Sequence, residues 1–440
     1  MQYIDNPELL KLRFSNGMLL LPFYYSKIMA KLNHQTFAGS EIKRKSKFLR
    51  FFYVLKAMLY FKLPQKKIVV FSSTRWEFRV NGRWRNIQHG YYCDLYPNDC
   101  LLDEACDMNS HWKTTDTYDN LSFVLSIISA FSHLFATIMN TIHQKHLKSY
   151  YTLCSNYCFL SEKDISYDDY FVSAYSFFIK LYVKKVQPRI LLIHCGSYGG
   201  TSAVICKIAK QRGIYTIDPQ HGQVFKHKAY AASRIVRESY EYMEYMPDFF
   251  YSYGEFWSNC VEWNYKKIVV GNPYLNEFVE KYKKTEPVQD FLVISQPNDK
   301  EMQYMFLSDL ANKFPDIVIV VRLHPLENIG EVSSKLANFS NIKVHDSSAN
   351  LYQEMCQSRF VIGWFSTCLY ELLAFGKQPI IVRNEVSKQN FPQDIGIWID
   401  KAEDLMTISD GATSVLNSNQ YWAMNFKETV CNHINMLLTN

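Results

Sequence analysis

Short apolar runs alternate with helical stretches in two parts of the chain. In the first part, strands are predicted at 67–73, 189–194 and 214–217, with a glycine turn and a helix over 201–212 before the last of them. In the second part, strands are predicted at 267–270, 291–295, 316–321, 342–345, 360–363 and 379–382. Strands that alternate with helices form parallel sheets. The pattern therefore predicts an α/β protein of two doubly wound domains, which we divide into 1–240 and 241–440.

The longest apolar stretch tests whether the chain crosses a membrane. No residue from 120 to 144 carries a full charge, and 121–141 is long enough to span a bilayer. Polar residues nevertheless recur three or four positions apart along it, at Ser122, Ser126, Ser129, His133, Thr137 and Asn140. Lipid offers such a polar stripe no hydrogen-bond partners. We therefore expect a buried amphipathic core helix at this position rather than a membrane span.

Basic and aromatic residues alternate over 43–67. This segment contains no Asp or Glu, and its lysines and arginines are interleaved with Phe, Tyr and Leu. A helix of this kind can lie on an anionic membrane surface. It can equally be a surface helix with a solvated basic face, and the sequence leaves both interpretations open.

Composition narrows the class of protein. The 440 residues are 48% hydrophobic and 20% charged, which excludes disorder over most of the chain and favours two domains. A formal charge of +6 is too small to favour nucleic acid. The 11 cysteines form no CxxC pair and show no metal-ligand spacing, so we expect a reducing cytoplasm and no metal site. Asp5 and Glu8 interrupt the start of the chain, so no secretory signal is expected.

The strongest chemical signal follows the strand at 316–321. Arg322 and His324 leave its carboxyl end two residues apart, and Pro325 ends the strand. Ligands of open parallel sheets bind outside the carboxyl ends of strands, so a cation and an imidazole suit a phosphate there. A strand end with one buried histidine and one surface arginine remains the alternative.

Two further strand ends in the second half carry polar groups. Ser366 and Thr367 stand where a helix begins after the strand at 360–363, and Glu371 lies one turn into that helix. Hydroxyls at a helix N-terminus can bind an anion or simply cap the helix, and Glu371 can accept hydrogen bonds from a ribose or face solvent. The strand at 291–295 ends in Ser295, Gln296 and Asn298. Together the three strand ends predict a phosphate or nucleotide site.

The first half offers a candidate for proton transfer. Asp218 and His221 follow the strand at 214–217, and Gly222 lets backbone approach a ligand. The glycines of 195–200 fit neither G-x-G-x-x-G nor a P-loop, so NAD and ATP are not favoured. His89 repeats the QHG triplet, but without a recognisable preceding strand we expect it to be structural.

The order of these motifs resembles a known family. QHG at 220–222, GNP at 271–273, HP at 324–325, and Ser366-Thr367 followed by Glu371 are similar to bacterial GT-B glycosyltransferases of surface polysaccharide assembly. The capsule-type Kdo and sialic-acid transferases and the CDP-glycerol glycerophosphotransferases are the most similar. The resemblance covers roughly 189–382.

The resemblance implies two facing Rossmann-like domains with a cleft between them. It implies an acceptor side in the first domain and a nucleotide donor in the second, where His324, Ser366 and Thr367 hold the phosphate of a cytidine nucleotide without a metal. His221 or Asp218 then deprotonates the acceptor hydroxyl. The short acidic element in which sialyltransferases place their base is not evident, which weakens the sialic-acid assignment.

The expected function is thus an inverting, metal-independent transfer of a Kdo- or sialic-acid-type sugar from a CMP-linked donor to a capsule or O-antigen glycan. The expected acceptor is a glycan or lipid-linked glycan, and the expected place is the cytoplasm, with membrane contact through 43–67 left open. A transferase that uses a CDP-alcohol, a UDP-sugar enzyme of the same fold, including a UDP-GlcNAc 2-epimerase, and an inactive glycan-binding subunit are the alternatives.

Overall fold

The computed structural model describes residues 2–33, 47–59, 63–73, 76–78, 84–104, 121–146, 160–227, 229–408 and 418–439. The chain divides into two compact units. The first unit comprises Met1–Ser252, Ser258–Val270 and Lys427–Asn440, and the second comprises Tyr253–Trp257 and Gly271–Phe426.

The first unit is built on a seven-stranded sheet of order β5-β4-β1-β6-β7-β8-β9 in which all neighbours are parallel. Its strands are β1 (Ile68–Ser72), β4 (Cys100–Glu104), β5 (Leu121–Ser122), β6 (Ile190–Ile193), β7 (Tyr215–Pro219), β8 (Phe249–Ser252) and β9 (Lys266–Val269), and β2 (Trp76–Phe78) and β3 (Trp84–Asn86) form a separate antiparallel pair. The helices are α1 (Leu21–Leu32), α2 (Lys47–Leu59), α3 (Gly90–Leu95), α4 (Val124–Ile142), α5 (Glu162–Val186), α6 (Thr201–Lys210), α7 (Arg234–Arg237) and α8 (Tyr240–Met243), with 3₁₀ turns at Pro7–Lys11 and Gly196–Tyr198. The short helix α9 (Glu255–Asn259) begins in the second unit and ends in the first.

This unit extends beyond the boundary that the sequence suggested. The strands β8 and β9 pair with β7 and with each other, so residues 249–252 and 266–269 belong to the first sheet. The strand predicted at 267–270 is therefore the edge of the first sheet rather than the first strand of the second. The division at 240 and 241 falls inside the first unit, because the acidic, tyrosine-rich stretch there forms short helices between two strands of one sheet.

The second unit contains a six-stranded parallel sheet of order β12-β11-β10-β13-β14-β15. Its strands are β10 (Gln289–Ile294), β11 (Ile319–Arg322), β12 (Ile342–His345), β13 (Ser358–Gly363), β14 (Ile380–Val382) and β15 (Ile397–Ile399). The helices are α10 (Pro273–Tyr282), α11 (Lys300–Lys313), α12 (Ile329–Leu336), α13 (Leu351–Gln357), α14 (Cys368–Glu371), α15 (Glu385–Asn390) and α16 (Ser418–Tyr421), with 3₁₀ turns at Leu372–Phe375 and Ala402–Thr407; α17 (Phe426–Thr439) returns to the first unit.

Local sequence explains where these elements begin. Ser161 and Asp164 form a capping box that starts α5, and Asn272 caps α10 ahead of Pro273. The strands β6, β10 and β11 are short apolar runs whose side chains are almost all buried, as strands covered by helices on both faces require. The predicted α/β class is confirmed, with one Rossmann-like parallel sheet in each unit.

The apolar helix α4 departs from expectation. It is long and apolar enough to cross a membrane, with a mean hydropathy of 1.5, yet only 28% of its most apolar window is buried. Phe131, Leu134 and Ile138 are exposed, and His133 of the expected polar stripe is exposed as well. The prediction of a buried core helix is therefore wrong, because only one side of α4 packs on the unit.

Within the basic segment, α2 is described, whereas 43–46 and 60–62 lie outside the described residues.

Candidate functional site

The strand order of the second unit identifies where a ligand belongs. Numbered from β10, its sheet reads 3-2-1-4-5-6, and the order reverses between β10 and β13. Loops that leave the carboxyl ends of strands on either side of such a reversal diverge and open a crevice, which is where nucleotides bind in doubly wound folds.

A cavity of about 140 Å³ occupies this position. Six of the predicted donor-binding residues line it: Ser295 and Gln296 after β10, Arg322, His324 and Pro325 at the end of β11, and Ser366 after β13. The volume is below the roughly 300–1,000 Å³ of sites that enclose a whole ligand. The cavity thus fits one group of a ligand, of about the size of a phosphate.

Three predicted residues are not among those that line the cavity. Asn298 is exposed, and only its backbone carbonyl is engaged, by Gln303 Nε2 at 2.5 Å. Thr367 precedes α14 without capping it. Burial raises the pKa of Glu371 to about 7, against the opposing effect of its hydrogen bond with Tyr352.

The helix after Ser366 is shorter than the sequence suggested. α14 makes one turn and passes into a 3₁₀ turn that ends at Gly376, whose φ of +74° is the expected left-handed stop. No side-chain cap forms at its start, and Ser366 Oγ lies 3.0 Å from Cys368 Sγ instead. So short a helix contributes little dipole, so the group that Ser366 can offer to a ligand in the cavity is its hydroxyl.

His324 is fixed in one tautomer. Its Nδ1 accepts a hydrogen bond from the backbone N–H of Leu326 at 3.2 Å, so in the neutral ring the proton resides on Nε2. Burial and the nearby Lys300 ammonium lower the pKa of His324. At neutral pH the imidazole is therefore uncharged, and its Nε2–H is available as a hydrogen-bond donor.

An acid and a cation that sequence reasoning missed support this loop. Glu327 accepts hydrogen bonds from the backbone N–H of His324 at 2.7 Å and from Ser295 Oγ at 2.7 Å, and it forms an ion pair with Lys300. Burial lowers the pKa of Lys300. Glu327 stands three residues after His324, a spacing at which a side chain can close a turn onto backbone. That spacing was the signal available in the sequence.

Arg322 is held by contacts within the protein and is not free to serve a phosphate alone. It forms a buried ion pair with Glu354, and its Nη2 donates to the carbonyl oxygens of Ser347 at 3.3 Å and Ala349 at 2.7 Å. Glu354 also contacts His345 Nδ1 at 2.7 Å. Arg322 thus lines the cavity and at the same time fixes the loop after β12.

The GNP triplet has a structural role in the second unit. Asn272 Oδ1 accepts the N–H of Leu275 at 3.3 Å and so caps α10. Gly271 has a φ of +86°, and a Cβ at this position would lie 2.0 Å from the carbonyl oxygen of Ala423. Only glycine fits there.

In the first unit, Asp218 stabilises the turn after β6. Its carboxylate accepts the backbone N–H groups of Gly196 at 3.1 Å and Ser197 at 2.9 Å, and the Ser197 hydroxyl at 2.6 Å. The side chain is fully buried, and this burial raises its pKa to about 7. These contacts assign Asp218 a role in holding the glycine turn.

His221 belongs to a cluster of imidazoles and a thiol. The first sheet also reads 3-2-1-4-5-6-7 when numbered from β1, and its order reverses between β1 and β6. His194 and Cys195 follow β6, and His221 follows the neighbouring strand β7. Cys195 Sγ lies 3.3 Å from His221 Nε2, and the ring centroids of His194 and His221 are 4.4 Å apart. Cys195 has a φ of +58°, which is uncommon for a residue with a side chain.

The QHG triplet at 88–90 lies close in space to the one at 220–222. His89 lies 5.3 Å from His194 between ring centroids, and Gln88 Nε2 donates to the carbonyl oxygen of His221 at 3.2 Å. The short strand β3 precedes His89, contrary to our expectation. The repeated triplet was therefore a usable signal of spatial proximity.

The same cluster offers ligands to a metal. The ligand atoms of His194, Cys195 and His221 all lie within 4.8 Å of one another. Two imidazoles and a thiolate are a ligand set that Zn²⁺ accepts, with one position open. The sequence had suggested no metal site, since these three residues come from two separate loops.

Comparisons with known proteins support the fold. The putative UDP-N-acetylglucosamine 2-epimerase of Listeria monocytogenes is similar in structure, with a TM-score of 0.51 and 11% identity over 85% of this chain and 97% of that chain. The UDP-GlcNAc 2-epimerase of Neisseria meningitidis bound to UDP-GlcNAc gives a TM-score of 0.48 and 14% identity over 86% of this chain and 100% of that chain. No family model and no curated protein matches the chain. At 11% identity, the likeness to the Listeria monocytogenes protein shows a shared fold and nothing beyond it.

Proposed function

We propose that the protein is an inverting, metal-independent GT-B glycosyltransferase. In this proposal it moves a sugar of the Kdo or sialic-acid type from a CMP-linked donor to a capsule or O-antigen glycan in the cytoplasm. The observation that supports it most directly is the cavity at the reversal point of the second sheet, where Ser295, His324 and Ser366 are brought together from three strand ends.

The cavity suits a ligand with a single phosphate, because the cavity offers little net positive charge. His324 offers a neutral Nε2–H, Ser366 offers a hydroxyl, and the charge of Arg322 is balanced by Glu354. Neutral donors and a shared cation suit the single phosphate of a CMP-sugar better than a pyrophosphate, which needs more compensating charge. This is the reason for preferring a CMP donor over a UDP donor.

The transfer step requires a base and a leaving group. The acceptor hydroxyl oxygen forms a bond to the anomeric carbon, while the bond from that carbon to the phosphate oxygen breaks and CMP leaves with the electron pair. We assign the hydroxyl proton to His221, since Asp218 already accepts three hydrogen bonds within the turn after β6. His324 and Ser366 stabilise the charge that develops on the departing phosphate.

A panel of donors tests the proposal. The purified full chain is titrated with CMP, UMP and CDP-glycerol by calorimetry, and nucleotide release from CMP-Kdo, CMP-sialic acid and UDP-GlcNAc is measured with and without capsular oligosaccharide. We expect CMP to bind more tightly than UMP and CMP release to depend on the acceptor. Preferential turnover of CDP-glycerol would show that the transferred group is glycerol phosphate and not a sugar.

Three other outcomes would overturn the proposal. Preference for UMP and UDP-GlcNAc would identify a UDP-sugar enzyme. Release of a sugar isomer without an acceptor would identify an epimerase, the activity named for the Listeria monocytogenes protein. Glycan binding with no nucleotide binding would identify an inactive subunit.

A further inference from the structure

Exposed apolar side chains concentrate on three helices of the first unit. Of 21 large hydrophobic side chains that are exposed in the described part of the chain, 11 lie on α2, α4 and α5. They are Phe52, Leu55, Met58, Leu59, Phe131, Leu134, Phe135, Ile138, Ile142, Phe177 and Leu181. On α4 they recur at helical spacing as one continuous stripe, and α4 packs against both α2 and α5. We call these side chains the apolar face.

A groove opens beside the apolar face. It has a volume of about 540 Å³ and is lined by Ile127, Ile128 and Phe131 of α4 and by Phe178 and Leu181 of α5. Its lining is almost wholly apolar apart from Lys184 and Lys185. A groove of this size and character fits hydrocarbon.

The charged residues beside the groove are of one sign, whereas the acidic start of α5 lies next to the other end of α4, where Ser166 Oγ donates to Asn140 Oδ1. α4 carries no Lys, Arg, Asp or Glu, and the charged residues of α2 are all basic. The acidic residues of α5 all precede Tyr170, whereas its lysines at 180, 184 and 185 accompany the exposed Phe177 and Leu181. A protein partner would have to provide acidic groups around an apolar centre, and an anionic bilayer provides both.

We propose that the apolar face and its lysines bind the surface of an anionic lipid bilayer, with acyl chains entering the groove between α4 and α5. α4 does not cross the bilayer, because its other side is packed on the unit, where Ser132 and Asn140 are buried and hydrogen-bonded. It lies in the interface plane with its exposed stripe toward the hydrocarbon. This inference does not depend on the proposed function.

Vesicle flotation with matched variants tests this surface. The full chain is mixed with vesicles of equimolar phosphatidylglycerol and phosphatidylcholine, or of phosphatidylcholine alone. Leu134→Glu/Ile138→Glu places two charges on the apolar face. Val288→Glu/Met305→Glu places the same charges at positions of the second unit that are even more exposed, 75% and 70% against 56% and 49%. Thermal melts verify that each variant is folded.

We expect the wild type and the control pair to bind the anionic vesicles at low salt, and the Leu134/Ile138 variant to lose at least tenfold in partitioning. Lys184→Gln/Lys185→Gln should weaken binding about fivefold per charge, and Lys283→Gln/Lys284→Gln in the second unit should not. Added salt should weaken binding of the wild type.

Four results would overturn the inference. These are absence of binding at low salt, equal binding to neutral vesicles, equal loss in the control pair, and retention of binding by the Leu134/Ile138 variant. Concentration-dependent dimers that disappear in the same variant, without vesicle binding, would assign the face to a second copy of the chain.

Discussion

Replacing His324 by alanine removes one donor from the cavity of the second unit. The fixed tautomer leaves Nε2–H as the group that can donate to a phosphate oxygen. A hydrogen bond to a charged group contributes about 1.5–3 kcal/mol, and about 1.4 kcal/mol corresponds to tenfold in affinity. We therefore expect His324→Ala to weaken CMP binding about tenfold to a hundredfold, measured by calorimetry at pH 7.5.

Two control variants show whether a loss of CMP binding comes from the missing N–H donor. His324→Gln retains a neutral N–H donor and should recover part of the affinity, whereas Lys343→Ala, at an exposed position of β12, should bind CMP like the wild type. Since His324 is partly exposed, none of the three changes should alter the melting temperature strongly. A His324→Ala protein that is folded and binds CMP within threefold of the wild type would refute the assignment of His324 to the phosphate.

Three further predictions concern the first unit. His221→Ala should lower kcat and leave the CMP affinity unchanged, whereas Asp218→Asn should lower the melting temperature. If the His221→Ala protein binds CMP more weakly, or transfers at the wild-type rate, His221 is not the base. Chelators should leave turnover unchanged, and a loss that Zn²⁺ restores in the wild type but not in Cys195→Ser would instead identify a metal on the thiol and imidazole cluster. Burial raises the pKa of Asp103 from 3.8 to about 7, so between these values the folded protein keeps a proton that the unfolded chain releases. The stability that this group contributes is fully present below about pH 4 and is lost as the pH rises through 7. The free energy of unfolding falls by at most about 1.4 kcal/mol per pH unit over this range. Melts from pH 4 to 8 should show this decline flattened in Asp103→Asn and unchanged in Asp99→Asn.

The strand ends of the second unit were predictable because their signals are local. The apolar runs before Ser295, Arg322 and Ser366 mark buried parallel strands, and the carboxyl ends of such strands meet at one edge of the sheet. Glu327 has a local signal in its spacing from His324, but Lys300 has none, because its pairing with Glu327 depends on how α11 and the loop after β11 pack. An isolated lysine and glutamate 27 positions apart give no local signal of this kind.

The environment of α4 was not predictable for a different reason. Spacing assigns residues to faces of a helix, but it does not say which face the rest of the fold covers. Here Ser132 and Asn140 are buried, because Ser132 Oγ donates to the carbonyl oxygen of Ile128 at 2.7 Å and Asn140 pairs with Ser166 at 2.5 Å. The polar groups thus find partners inside, and much of the apolar surface remains outside.

The turn after β10 shows how the proposed phosphate site could do without a glycine-rich loop. In glycine-rich loops the backbone N–H groups approach the phosphate directly. Here the N–H of Gln296 donates to Gln303 Oε1 at 3.0 Å, and Gln303 Nε2 donates back to the carbonyl oxygen of Gln296 at 2.9 Å. The buried amide of Gln303 therefore occupies the backbone N–H of Gln296, a donor that a phosphate could otherwise use. Ser295 Oγ already donates its hydrogen to Glu327, so in the proposed site the side chains of His324 and Ser366 offer the donors, and changes at these two positions should affect binding more than changes in this turn.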